Sequence, residues 1–123
     1  MGWSYFSGTG ILIGPDAAVY TNLYSGHGEG LNNPILEAVP DVGPIPAGSW
    51  TIGTAFHSPQ TGPMSIPLTP QDLVHGRTGF FIHGDEIAHA GEHLASHGCI
   101  IAPLAIRELI CASPDKLLVV LKS

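Results

Sequence analysis

The sequence predicts a mainly β domain with one principal helix, and three observations lead there. Gly and Pro are both abundant, at 16 and 11 of 123 residues, which favours short strands joined by tight turns over a helix bundle. The apolar residues fall into brief alternating or continuous runs bounded by Gly, Pro, Asn and Ser. One segment, from Pro103 to Ser113, carries helical apolar spacing with a proline at its start and another just past its end.

In order along the chain, Trp3, Tyr5, Ile11, Ile13, Val19 and Tyr20 supply strand positions between Ser7-Gly8-Thr9-Gly10 and Gly14-Pro15-Asp16 turns. Ser25 to Asn33 is a Gly-rich polar loop ending at Pro34. Val42-Gly43-Pro44-Ile45-Pro46-Ala47-Gly48 is a rigid turn that leads into a strand, Ser49-Trp50-Thr51-Ile52. Residues 57 to 79 hold four prolines with little periodicity and read as an irregular surface excursion bordering a site. Phe80-Phe81-Ile82 is a short buried strand that ends at His83-Gly84-Asp85. Pro103 opens the helix, whose apolar face is Leu104, Ile106, Leu109 and Ile110, and Ser113-Pro114 stops it. Leu117 to Leu121 closes the chain as a core strand. With no repeat, linker or charge block, residues 1–123 are expected to form a single domain.

Composition excludes some functions. Ten acidic and four basic residues give a formal net charge of -6, which offers no footprint for nucleic acid. No run approaches the ~20 apolar residues of a membrane-spanning helix, so no stable membrane insertion is expected. Met1-Gly2-Trp3-Ser4-Tyr5 lacks a basic segment followed by an apolar run, so no secretory signal is visible.

The chemistry concentrates in two stretches, Phe81-Ile82-His83-Gly84-Asp85 and Ser96-His97-Gly98-Cys99-Ile100. Cys111 lies in the apolar helix pattern and reads as a small hydrophobe, whereas Cys99 follows a polar, flexible turn. A thiol with a pKa near ~8.5 needs help to ionise, and an imidazole gives that help and later protonates a leaving group. Gly98 lets the backbone turn so that main-chain N–H groups can face a developing oxyanion. No cofactor is called for by this pair.

These residues resemble the catalytic domain of the L,D-transpeptidases, bacterial cell-wall enzymes with a histidine at a strand end and a Ser/Thr-x-Gly-Cys nucleophile turn. Pro44-Ile45-Pro46-Ala47-Gly48-Ser49-Trp50 is similar to the family's Pro-x-Gly turn into a strand. More narrowly, Trp3-Ser4-Tyr5, Tyr24-Ser25-Gly26, Asn32-Asn33-Pro34, Gly43-Pro44-Ile45-Pro46 and Gly76-Arg77-Thr78-Gly79-Phe80 resemble the branch of type VI secretion L,D-transpeptidase effectors. The resemblance implies an L,D-transpeptidase-like β-sandwich or barrel, with the main helix after the nucleophile. It also implies a peptidoglycan L,D-carboxypeptidase or L,D-transpeptidase that cleaves the diaminopimelate–D-alanine bond of tetrapeptide stems through a thioester.

Residue roles follow from the same resemblance. Cys99 is the nucleophile and His83 the proton-transfer partner. The Gly84 carbonyl orients the imidazole, and Gly98 shapes the oxyanion hole. The family's arginine two places after the nucleophile is here Ile101, so Arg77 is the expected carboxylate contact, with Arg107 structural. Asp85, Ser96 and His97 are the other expected substrate-side residues. The implied partners are peptidoglycan stem peptides, a cognate immunity protein and a secretion apparatus. Such a protein is made in the bacterial cytoplasm and acts in the periplasm or cell wall of a target cell.

Two alternatives stay open on the residues alone. His89, His93 and His97 are spaced by four with Cys99 two beyond, a zinc-ligand pattern for a hydrolase if the segment is helical, which Gly91 and Gly98 oppose. A non-catalytic wall-binding module with the same fold is the other. His27, His57 and His75 read as surface loop residues, and the glycines at 26, 28 and 30 do not form a phosphate loop because Pro34 intervenes.

Overall fold

The computed structural model describes residues 2–59, 61–71, 75–77, 79–84 and 98–123. Among the described residues strand accounts for 37% and helix for 14%, with one sheet and one α-helix, so the fold is mainly β. The strands are β1 (Trp3–Phe6), β2 (Ile11–Ile13), β3 (Val19–Tyr20), β4 (Tyr24–Ser25), β5 (Gly48–Ile52), β6 (Phe56–Ser58), β7 (Gly62–Pro70), β8 (Phe81–His83), β9 (Ile100–Ile101) and β10 (Leu117–Leu121). The helix α1 spans Leu104–Ala112.

The strands join in the order β3-β2-β1-β10-β5-β7-β8-β9-β4, with β6 paired to β7 off this path. Two pairs are parallel, β1 with β10 and β8 with β9. The remaining pairs are antiparallel. β7 links the two ends of the sheet by changing partner along its length. Ser65 pairs with Phe56 of β6, Ile66 and Pro67 with β8, and Leu68 to Pro70 with β5.

Period-2 alternation decides which face is covered. In β1, Trp3 and Tyr5 turn inward and Ser4 and Phe6 do not; in β10 the inward pair is Leu118 and Val120. With Leu12, Trp50, Ile52, Ile66, Leu68, Ile82 and Ile100 they form one contiguous core drawn from both ends of the sheet. Trp50 is its centre, fully buried, with its indole N–H donated to the Pro46 carbonyl at 3.2 Å and Phe80 edge-on at 5.0 Å. An aromatic ring so enclosed contributes about 2–3 kcal/mol by area alone, and the satisfied N–H removes the cost of burying it.

The fold departs from the sequence expectations in three places. The excursion at 57–79 contains β6 and the nine-residue β7, the longest strand described. The helix does start after Pro103, and it ends where the Ser113 N–H closes on the Leu109 and Ile110 carbonyls. Its buried residues, however, are Arg107 and Ile110, while Leu104 and Leu109 stay about half exposed. The Ser25–Asn33 loop is shaped by a 3-10 turn at Gly28–Gly30, with another following at Pro34–Leu36. Among the described residues, no helix is long and apolar enough to cross a membrane.

Candidate active site

The candidate residues flank the parallel β8–β9 pair, His83 as the last residue of β8 and Cys99 just before the first residue of β9. The register matches Ile82 with Ile100 and His83 with Ile101. Ile82 and Ile100 enter the core, so His83 and Ile101, the next residue on each strand, turn to the opposite face. His83 and Cys99 lie diagonally on neighbouring strands. Two residues along a strand and one strand across separate Cα positions by about 8 Å.

Each side chain is held by backbone. The Cys99 Sγ accepts the Phe81 N–H at 3.3 Å, and its S–H faces the Gly79 carbonyl at 3.7 Å. Burial pushes the Cys99 thiol above its ordinary range; the Phe81 N–H and the Arg77 charge pull it partly back. Burial on balance disfavours the thiolate. Neither Cys99 nor Cys111 forms a disulfide.

His83 is 4% exposed, and its Nδ1 lies 2.9 Å from the Gly84 carbonyl oxygen. A carbonyl can only accept, so Nδ1 carries a proton, and in the neutral imidazole Nε2 then holds the lone pair, the tautomer a base requires. The Gly84 contact expected from the sequence is therefore present. Behind it, the His83 carbonyl accepts the Ala102 N–H at 3.0 Å, tying the histidine to the chain that leaves β9.

Arg77, the expected carboxylate contact, is buried against loop backbone. It is 7% exposed, and its Nη1 donates to the Glu37 and Pro44 carbonyls while Nη2 donates to Gly43 at 3.1 Å. Its guanidinium carbon lies 5.0 Å from the centroid of the Phe80 ring. The guanidinium grips loop backbone beneath the nucleophile turn, where an open carboxylate grip was expected. Gly98 is at φ +129°, and a Cβ there would collide with Arg77 Nη2 and reach Phe80 at 3.0 Å. Glycine is needed at this position on both counts.

Three residues of this neighbourhood were not found by sequence reasoning. Ser25 is fully buried; its Oγ accepts the Ile45 N–H at 2.8 Å and donates to the Gly98 carbonyl at 3.0 Å. Glu37 accepts the Ala47 N–H at 2.9 Å on one oxygen, and its other oxygen meets His75 Nε2 at 3.0 Å and Lys122 Nζ at 3.7 Å. Burial opposes the charge on Glu37, but Ala47, His75 and Lys122 outweigh it and leave the carboxyl below its ordinary range. Arg107, read only as structural, donates from Nε to the Ala102 carbonyl and from Nη1 to Pro63 and Met64. A Cβ on Gly84 would sit 2.7 Å from Arg107 Nη2. The sole sequence signal for these roles is the scarcity of charge: in so apolar a chain, a Glu or Arg among hydrophobic neighbours is a candidate for a buried, partnered position.

Cys99, Gly98 and Arg77 therefore lie before the start of β9, and His83 and Gly84 at the end of the neighbouring strand β8. Asp85, Ser96 and His97 lie outside the described residues, as do His89 and His93 of the zinc alternative. Among the described residues no group of three or more His, Cys, Asp or Glu is placed to hold a metal. His57 is exposed on β6, and His75 is paired with Glu37.

A model of the Tlde1 domain, the type VI secretion L,D-transpeptidase effector family, matches residues 20–114. The match takes in β4, the Arg77 segment, β8, the nucleophile turn and α1. Among curated proteins, none matches the chain.

Proposed function

The chain belongs to the Tlde1 domain family, and on that premise we propose that it is a cysteine-dependent peptidoglycan L,D-carboxypeptidase and L,D-transpeptidase. The substrate is the tetrapeptide stem, cut between the L-centre of diaminopimelate and the terminal D-alanine. The observation that supports this reading is the parallel pairing of β8 and β9, with His83 the last residue of one strand and Cys99 directly before the other.

In the first step His83 Nε2 takes the Cys99 proton, and the sulfur attacks the scissile carbonyl carbon to give a tetrahedral oxyanion. Main-chain N–H groups at the Gly98–Cys99 turn stabilise that oxygen. The imidazolium returns its proton to the departing D-alanine amine as the C–N bond breaks, leaving a thioester on Cys99. Water then attacks, with His83 again as base, and releases the tripeptide; an amine in place of water gives exchange or a crosslink. The upward push of burial on the Cys99 thiol suits a mechanism in which the proton leaves only when His83 and substrate are both in place.

Type VI family membership supports delivery to the periplasm of a target cell, with peptidoglycan as target and an immunity protein as partner. Removal of the donor D-alanine would deprive crosslinking of its substrate. The test is mass spectrometry of purified tetrapeptide muropeptides incubated with wild type and with Cys99→Ala. Release of D-alanine by wild type alone is expected; an unchanged substrate with folded wild type would overturn the reading.

A further inference from the structure

We propose that Ser25 is a positioning residue for acyl transfer at Cys99, acting through the plane of the Gly98–Cys99 peptide. The inference rests on the thioester mechanism above and adds a residue to it. Ser25 ends β4, which pairs with β9 so that Ser25 faces Ile100. Its side chain is fully buried. A hydroxyl has one hydrogen. The Ile45 N–H, 2.8 Å from Oγ, can only donate to it, so the hydroxyl hydrogen is left for the Gly98 carbonyl at 3.0 Å. The direction of both bonds is thereby fixed.

The geometry of the peptide unit carries the consequence to the site. Across a trans peptide the C=O and the following N–H point in opposite directions. With the Gly98 oxygen held toward Ser25, the Cys99 N–H is turned to the side away from β4. Glycine itself supplies no such constraint, because at φ +129° it moves among conformations closed to other residues. Arg77 fills the space beside the Gly98 Cα, and the Phe81 N–H holds the sulfur. Ser25 adds the contact that fixes rotation of the peptide plane between them. It is itself anchored, since its N–H donates to Asn32 Oδ1 at 3.1 Å. An oxyanion donor gains most of its effect from being aimed before the charge develops. Ser25 aims this one.

The test separates reactions of Cys99 that form an oxyanion from those that do not. Acylation by p-nitrophenyl acetate passes through a tetrahedral oxyanion; alkylation by iodoacetamide displaces iodide at carbon and forms none. Both are followed by mass on the Cys99 peptide of the folded protein across a range of pH. Ser25→Ala is expected to slow acylation about tenfold or more, with the alkylation rate and its pH profile within twofold of wild type. Ser25→Thr, which keeps the hydroxyl, is expected to restore acylation. Should the alanine variant not fold, Ser25→Cys fills nearly the same space with a much weaker donor, and the same ratio is read. Acylation and alkylation falling together, or neither changing, would overturn the proposal. D-alanine release by wild type is scored separately, so a wrong substrate would leave the acylation-to-alkylation ratio standing.

Discussion

The chain's two arginines solve the same problem at two ends of the site, and only one of them touches its chemistry. Arg77 and Arg107 are both 7% exposed, and both donate to backbone carbonyls. Each also lies against a glycine next to a residue of the proposed pair, Gly98 before Cys99 and Gly84 after His83. Burial lowers the pKa of both, and nearby negative groups oppose that shift; a guanidinium remains charged in either case. The difference lies in which thiol each charge reaches. Arg77 favours the Cys99 thiolate, whereas Arg107 is coupled to Cys111 and Glu108. A buried cation used as a backbone clamp costs desolvation at both places. Under the nucleophile it also biases ionisation.

Replacing the two arginines by methionine is the largest way to break this comparison. Each variant leaves buried carbonyls without a charged donor, and a destabilisation of about 3 kcal/mol is expected for either in urea unfolding. The thiol chemistry should separate them. Arg77→Met removes the positive charge that favours the thiolate, so the pH profile of Cys99 alkylation moves to higher pH. Arg107→Met should leave that profile in place. Equal movement in both variants would mean that the shift reports general loosening and not the Arg77 charge.

A smaller effect sharpens the comparison at the two glycines. Gly98→Ala adds a strained backbone to a collision with Arg77, and should cost about 2–3 kcal/mol along with nearly all acyl transfer. Gly84→Ala meets Arg107 Nη2 without a positive φ, and about 1 kcal/mol is expected from the crowding alone. Thermal unfolding of both variants decides the order. A Gly84→Ala protein less stable than Gly98→Ala would mean that contact, not backbone conformation, dominates at these turns.

Much of the fold was legible because its signals are local. Pro103 and Ser113-Pro114 bracket α1, and the apolar runs at Phe80–Ile82 and Leu117–Leu121 are strands or strand ends. β7 was hidden by Pro63, Pro67 and Pro70, since a residue without an N–H argues against a strand with neighbours on both sides. That strand tolerates them because it changes partner from β6 to β8 to β5 along its length, so no single ladder has to be continuous. The helix face was misjudged for a related reason. Arg107 is drawn inward by the Ala102, Pro63 and Met64 carbonyls, and the latter two are more than 40 residues away.

At the site the same division holds. Cys99, His83 and the Gly84 contact could be read because their meaning lies in adjacent residues and a short strand. Ser25 acts on a carbonyl 73 positions later, and Arg77 on carbonyls 33 to 40 positions earlier. Nothing in the local pattern of either residue announces such partners. Among the described residues, the sequence proposed the Cys99–His83 pair, and the fold shows the backbone contacts that hold each of the two.

The central claim is that acyl transfer passes through Cys99, and the most direct measurement is rapid-quench mass spectrometry of the Cys99 peptide during turnover of purified tetrapeptide. The account predicts a tripeptide acyl adduct on Cys99 that appears with free D-alanine, together with loss of D-alanine release in Cys99→Ala. D-alanine released at the wild-type rate by Cys99→Ala, with no adduct on Cys99 in the wild-type protein, would contradict it.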